Sequence, residues 1–372
     1  MTTVTTSSAG PLDTATEPPV LTRIDGRAGH LVLNRPRAIN ALTLEMVRLL
    51  TAALLEWRDD DRVQTVVLTG AGDRGLCAGG DIVAIHRDAT SDEPAEQTAS
   101  AAFWREEYAL NALIASYPKP YVAVMDGIVL GGGVGVSAHG SHRIVTERTS
   151  VGMPETGIGF VPDVGGTWLL SRGPGQLGTH LALTAGSVKA GDALELGLAD
   201  WFVESSAIPA LLAAFADTRP GTAIAAHASP PPPGQLEADQ AWIDACYSDN
   251  DVPAIMKALR KHPDPAAQAA ADTLATRSPT AMAVTLRALR SAAGFPDLDA
   301  ALRQELRLVV RFLDCADFAE GVRAAVIDKD RNPTWYPKRA DDVWPEDIDR
   351  FFAPLTHELA PSTGTPTSTE ES

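Results

Sequence analysis

Two glycine-rich stretches and two acids carry the chemistry this sequence could do. The first stretch is Gly75-Leu76-Cys77-Ala78-Gly79-Gly80-Asp81, and the second is Gly131-Gly132-Gly133, just after a short apolar run. Glu155 follows in Met153-Pro154-Glu155-Thr156 and Asp163 in Pro162-Asp163-Val164-Gly165-Gly166. Attack on an acyl carbon puts negative charge on the carbonyl oxygen. Two backbone N–H groups aimed at that oxygen stabilise it by about 3 to 4 kcal/mol per donor. Glycine suits such donors because it lets backbone approach a ligand closely. A carboxylate nearby can then attack the acyl carbon or activate a water that does. Taken singly, each feature has a plainer reading. Glycine triplets mark turns or tight packing, and Asp163 ahead of Val-Gly-Gly-Thr suits a helix N-cap.

The donors need a strand giving way to a helix start, where unpaired N–H groups and a partial positive charge collect. Val122 to Met125 reads as a buried strand, with Gly132 to Ala138 opening a buried helix. Val63 to Thr69 reads as another strand, and Gly80 precedes a second candidate helix, Asp81 to Ile85. Around these, apolar residues at helical spacing predict a helix over Thr43 to Trp57, and another over Ser100 to Tyr117 stopped by Pro118 and Pro120. His30 to Asn34 and His142 to Thr146 read as strands, Gln176 to Thr184 and Ala190 to Leu196 as helices, and Asp200 to Val203 as a short strand. Repeated β and α units place residues 20–220 in the α/β class. The Pro230 to Pro233 run marks a linker over residues 221–235. Residues 236–356 read as a mainly helical C-terminal region, with helices over Val252 to Lys261, Ala266 to Thr276, Pro279 to Ala292, Leu298 to Asp314 and Phe318 to Asp328. Residues 1–19 and 357–372 are expected as disordered tails.

The chain has 372 residues, 45% hydrophobic content and a formal net charge of −17. That charge argues against non-specific nucleic-acid binding. No apolar run reaches the roughly 20 residues a membrane span needs. Cys77, Cys246 and Cys315 are widely spaced, without metal-ligand spacing, which suits a reducing compartment. The N-terminal stretch lacks a secretory pattern. It also lacks arginine and carries Asp13 and Glu17, against a mitochondrial presequence. The expectation is therefore a cytoplasmic protein with no metal, no nucleic-acid partner and no membrane partner.

These motifs together resemble the crotonase (enoyl-CoA hydratase/isomerase) superfamily, and within it the 3-hydroxyisobutyryl-CoA hydrolase branch. Gly75 to Ile82 is similar to the superfamily's first oxyanion-loop motif and Asp126 to Gly133 to its second. Met153 to Gly159, Pro162 to Gly166, Phe103-Trp104-Arg105-Glu106-Glu107-Tyr108, Glu320 to Arg323 and Ile327 to Asp330 resemble the hydrolase branch. The likeness runs from about Thr22 to about Trp344. It implies a ββα-spiral core, an acyl-CoA substrate and no separate cofactor, since CoA is part of the substrate. It implies an oxyanion hole from the N–H groups of Gly80 and Gly132. Glu155 would be nucleophile or general base, Asp163 would hold the substrate's 3-hydroxyl or orient water, and Glu107 would line the acyl pocket.

Enoyl-CoA hydratases of this superfamily hold one water between two glutamates. Glu155 matches one of them; the position of the other is Gly135. Hydration needs both, whereas a carboxylate with an oxyanion hole is enough for acyl transfer to water. The expected activity is hydrolysis of 3-hydroxyisobutyryl-CoA or a near relative, in valine breakdown. The alternatives are an enoyl-CoA hydratase or isomerase, against which Gly135 speaks, and a non-catalytic acyl-CoA-binding protein, against which Glu155 and Asp163 speak. Arg74 and Lys329 are candidates for the CoA phosphates. Cys77 and Ser137 lack an activating base, and His139 and His142 read as structural histidines. The superfamily often forms trimers, so a homo-oligomer is one expectation. Helical C-terminal segments covering the same surface within one chain are the other.

Overall fold

The computed structural model describes residues 17–359. The tails expected at the two ends lie, over residues 1–16 and 360–372, outside the described residues. Two sheets organise the N-terminal half. The larger has six strands, β1 (Val20–Asp25), β2 (Ala28–Leu33), β3 (Thr65–Gly70), β5 (Tyr121–Met125), β7 (His142–Val145) and β10 (Trp201–Phe202), adjacent in that order. β1 and β2 form an antiparallel hairpin, and the remaining pairings are parallel. β3 and β5 are apolar runs, as expected for parallel strands covered on both faces. The smaller sheet orders β4 (Gly75–Cys77), β6 (Ile128–Leu130), β8 (Ser150–Gly152) and β9 (Ser187–Val188). The sequence reading did not separate this second sheet. Its strands have two or three residues, too few for a period-2 pattern to show.

Helices fill the connections. α1 (Leu44–Arg58) starts where Thr43 accepts the Met46 N–H, and buries Met46, Val47, Leu50, Leu54 and Trp57. α2 (Ile82–Ala89) follows the first glycine stretch. α3 (Ala99–Ala115) is capped by Thr98, and α4 (Gly132–Ser137) is a short helix buried at every position. α5 (Gly166–Leu170), α6 (Leu177–Thr184), α7 (Ala190–Glu195) and α8 (Ile208–Ala214) complete this half. The expected linker is in part a helix. α9 (Pro220–His227) packs Ala223 and Ile224 with Val67, Val122 and Phe215 on the far face of the larger sheet, so the irregular stretch is shorter than residues 221–235.

Beyond the proline run come α10 (Leu236–Tyr247), α11 (Val252–Lys261), α12 (Pro265–Leu274), α13 (Pro279–Ala292), α14 (Leu298–Leu313), α15 (Ala316–Val322) and α16 (Pro345–Phe352). α10 was not foreseen, because its cap is remote: Asp192 of α7 accepts the N–H groups of Gln235 and Leu236 at 2.6 and 2.8 Å. The helix expected over Phe318 to Asp328 ends at Val322 and continues as one π-helical turn, Arg323–Ile327. These helices are not a separate body. Leu68, Trp104, Phe160, Phe312 and Phe318 share one apolar core. Phe160 lies 5.8 Å from the Trp104 ring, 5.6 Å from Phe312 and 4.7 Å from Phe318, ring centre to ring centre. The C-terminal helices are thus packed directly against the turn that links Glu155 to Asp163. Among the described residues, no helix is long and apolar enough to cross a membrane.

Candidate active site

A cavity of about 210 Å³ is lined by Gly80, Gly132, Glu107, Glu155 and Asp163, with Ile82, Ile85, Phe103, Trp104, Ile158, Phe160 and Val326 as apolar wall. The glycine and acid positions singled out from the sequence therefore meet in one place. Val326, on the π-helical turn, closes the wall from the C-terminal part.

The loop at Gly80 is held from two sides. The Leu42 N–H donates to the Gly79 carbonyl at 2.8 Å and the Asp81 N–H to the Leu42 carbonyl at 2.9 Å, with Gly79 at φ +110°. Behind it, the buried Asn40 donates to the carbonyls of Ala71 and Gly75, and Arg35 pairs with Asp81 at 3.2 Å. This bridge uses the N–H groups of Leu42 and Asp81 and leaves that of Gly80 unused. Gly132 is the first residue of α4, where N–H groups have no intrahelical acceptor. The two positions are close: a methyl group on Gly132 would lie 3.3 Å from the Gly80 nitrogen and 2.7 Å from Glu107 Oε1. Gly131 needs φ +50°, and a methyl there would lie 2.8 Å from Glu155 Oε1. Glycine at 131 and 132 is what lets the carboxylates approach the backbone so closely.

Glu155 opens a 3-10 turn, Glu155–Ile158, with two residues between it and β8. Its Oε2 and Glu107 Oε1 are buried without a hydrogen-bond partner. Buried polar atoms are nearly always paired, so two orphan carboxylate oxygens around one cavity point to groups awaiting a ligand. Burial raises both carboxyls well above the usual glutamate range, and the charge of Asp163 raises them further. Asp163 is pushed up to about 7 by burial, against the Tyr108 hydroxyl, which donates to its Oδ2 at 2.8 Å and favours the charged form.

The position of the absent second glutamate has a steric explanation. A methyl on Gly135 would lie 2.6 Å from Val164 Cβ and 2.9 Å from Asn111 Nδ2. Val164 sits at φ +53°, a conformation rare for a β-branched residue, and its side chain occupies the space. A carboxylate cannot be built there while the Asp163-Val164 turn keeps this shape.

Other sequence candidates fall elsewhere. Arg74 is exposed and donates to the carbonyls of Pro36 and Arg37, both at 2.6 Å, and Lys329 is exposed at φ +59°. Neither lines the cavity. Glu106 pairs with Arg48 on the surface. The Cys77 thiol is fully buried and pushed up to about 12 by that burial, which removes it as a nucleophile. Ser137 donates to the Gly133 carbonyl inside α4. His139 Nε2–H donates to the Val164 carbonyl at 2.7 Å and is pushed down to about 4 by burial, and His142 Nδ1 contacts Ser141 Oγ; both fill the structural part expected of them.

Two residues beside the site escaped the sequence reading as individuals. Tyr108 was seen only as the end of a motif, although it lies one residue from Glu107 on the buried face of α3. In the sequence, Glu305 stands out only as part of the helix over Leu298 to Asp314. It lies among Leu302, Leu306 and Val309 on the buried face of α14, and an acid on such a face was the available signal.

A family model described as enoyl-CoA hydratase/isomerase matches residues 28–352. A Danio rerio protein named 3-hydroxyisobutyryl-CoA hydrolase, mitochondrial, is 40% identical over 341 residues, covering 89% of this chain and 88% of that protein. The Homo sapiens protein of the same name is 37% identical over 347 residues, covering 90% and 89%. Among solved structures, a carnitinyl-CoA dehydratase from Mycobacterium thermoresistibile superposes with TM-score 0.89 at 48% identity, covering 93% of this chain and 99% of that one. An enoyl-CoA hydratase from Rhodobacter sphaeroides 2.4.1 gives TM-score 0.86 at 41% identity, covering 92% and 99%. One expectation is corrected by these relatives. The curated proteins are named as mitochondrial, in conflict with the cytoplasmic assignment drawn from the N-terminal composition.

Proposed function

The chain belongs to the enoyl-CoA hydratase/isomerase (crotonase) family, and from that premise we propose that it hydrolyses a short branched 3-hydroxyacyl-CoA thioester, 3-hydroxyisobutyryl-CoA, to 3-hydroxyisobutyrate and CoA. The observation that carries this reading is the pairing of Glu155 and Asp163 at one cavity while Val164 fills the place of a second hydratase glutamate. The relatives named as 3-hydroxyisobutyryl-CoA hydrolases supply the acyl group, and valine breakdown is the setting proposed with it.

In the proposed mechanism the thioester oxygen sits between the N–H groups of Gly80 and Gly132. Charge gathers on that oxygen as the acyl carbon becomes tetrahedral, and the two donors act most strongly there. The helix start at Gly132 adds its partial positive charge. Glu155 has an oxygen free of internal partners, and it attacks the acyl carbon or takes a proton from the water that does. In the first route the C–S bond breaks to give an acyl–Glu155 anhydride and CoA thiolate, and water then cleaves the anhydride. In the second, water adds directly and CoA thiolate leaves. Single turnover in ¹⁸O water separates them, since only the anhydride route can leave label in the Glu155 carboxylate. Asp163, steadied by Tyr108, accepts from the substrate's 3-hydroxyl and orients water. Glu107 lines the acyl pocket. No step requires a cofactor beyond the CoA carried by the substrate.

The second reading is a lyase, favoured by the names of the two solved structures. Hydration would need an acid beside Glu155 on the same water, and Gly135 supplies none. The test is free-thiol release from 3-hydroxyisobutyryl-CoA beside the hydration of crotonyl-CoA. Thiol release without hydration supports the hydrolase; hydration without thiol release supports the lyase.

A further inference from the structure

Glu305 is a fully buried acid that the reaction above leaves unused. It reaches the site from α14, 140 residues beyond the turn it meets. Its Oε2 accepts the Gly165 N–H at 2.6 Å, and its Oε1 accepts the Thr167 N–H at 2.9 Å and the Thr167 hydroxyl at 2.5 Å. All three contacts are donors to it, so the arrangement calls for an acceptor at this position. The donors belong to the turn that begins at Asp163. That turn is held in an uncommon shape, with Val164 at φ +53° and Gly165 at φ +80°. Such backbone persists only where its surroundings over-determine it. Here Glu305 holds the N–H side and His139 holds the Val164 carbonyl.

We propose that Glu305 is a positioning residue for the hydrolysis: its carboxyl group, delivered by the C-terminal helices, fixes the turn that aims Asp163. This rests on the hydrolase reading. An apolar residue on this face of α14 would pack as well, but would leave three buried donors unpaired. A simple clamp could use a neutral acceptor; a carboxyl group, raised to about 8 by burial, also adds negative charge near Glu155 once pH passes that value. The titratable groups that interact with it are Asp163 in the turn, Glu155 on the 3-10 turn and Tyr108 on α3. Burial raises the Glu305 carboxyl and Asp163 adds to it; burial and then Asp163 raise Glu155, and Glu305 adds a smaller push. Like charges oppose one another's ionisation, so removing this one lowers the pH at which Glu155 ionises.

The experiment is the pH profile of kcat for thiol release by wild type, E305Q and E305D. E305Q keeps the size and loses the charge. Its kcat is expected to fall at least tenfold with KM within about threefold, and its acid midpoint to move to lower pH. E305D keeps the charge but falls a methylene short of the donors. Its kcat is expected to fall similarly, with the midpoint closer to wild type. A midpoint unmoved in E305Q, or a wild-type kcat in both variants, overturns the proposal. If E305Q does not fold, Thr167→Val removes one donor and leaves the acid in place. A severalfold drop in kcat with an altered profile supports the proposal, and wild-type behaviour overturns it. Wild type releasing no thiol would instead sink the hydrolase reading itself.

Discussion

Glu155 and Asp163 stand eight residues apart in the chain and face the same cavity, yet their surroundings differ. Glu155 Oε2 is orphaned, whereas Asp163 has a donor in Tyr108. A group that attacks or takes a proton needs a free lone pair, and a group that orients needs to be fixed. Glu155→Gln is therefore expected to lower kcat by about 10²- to 10⁴-fold, the usual contribution of such a group. Binding of the CoA ester, read by calorimetry, should stay within about threefold. Asp163→Asn should lower turnover more on 3-hydroxyacyl-CoA than on the plain acyl-CoA; equal loss on both would remove the hydroxyl-binding role. Tyr108→Phe removes a hydrogen bond that favours the Asp163 carboxylate, so its acid midpoint should rise to higher pH. A midpoint that stays put would mean that Asp163 does not govern that limb.

The elements explain why some of this was visible in the sequence. β5, α4 and the two glycine stretches were legible because apolar runs and glycines are local signals. The bounds of β3 moved by two residues at its start, and α13 runs over the residues expected. What stayed hidden depends on contacts between distant segments. The smaller sheet is built from strands too short to pattern. α10 is capped by Asp192 from another helix, and the Asp163 turn is held by Glu305 from α14. Among the site positions, Gly80, Gly132, Glu107, Glu155 and Asp163 were picked by motif. The reason for Gly135 needed the positive φ of Val164. Gly135→Ala tests that packing. Its methyl would press on Val164 at 2.6 Å, and overpacking of this kind costs about 1 to 3 kcal/mol. A lower melting temperature and a lower kcat together are expected. A variant with normal stability and activity would show that the turn yields freely.

On the scale of the whole molecule, one core runs from the sheets into the C-terminal helices and encloses, at and behind the cavity, the acids Glu107, Glu155, Asp163 and Glu305. Each holds its proton more tightly in the folded chain than an unfolded one would. Such groups add stability below the unfolded carboxylate range, and that contribution is lost as pH rises through the folded values, about 7 for Asp163 and about 8 for Glu305. The melting temperature should thus decline between about pH 5.5 and 8.5, and less steeply in Asp163→Asn. An equal slope in both proteins would contradict this. The same acids that weaken the fold at neutral pH make the cavity reactive, so the deciding observation is catalytic. Purified protein is given 3-hydroxyisobutyryl-CoA and, separately, crotonyl-CoA, with free thiol and enoyl absorbance followed in parallel. Thiol release from the first with no hydration of the second is the predicted result; hydration of crotonyl-CoA without thiol release from 3-hydroxyisobutyryl-CoA would contradict it.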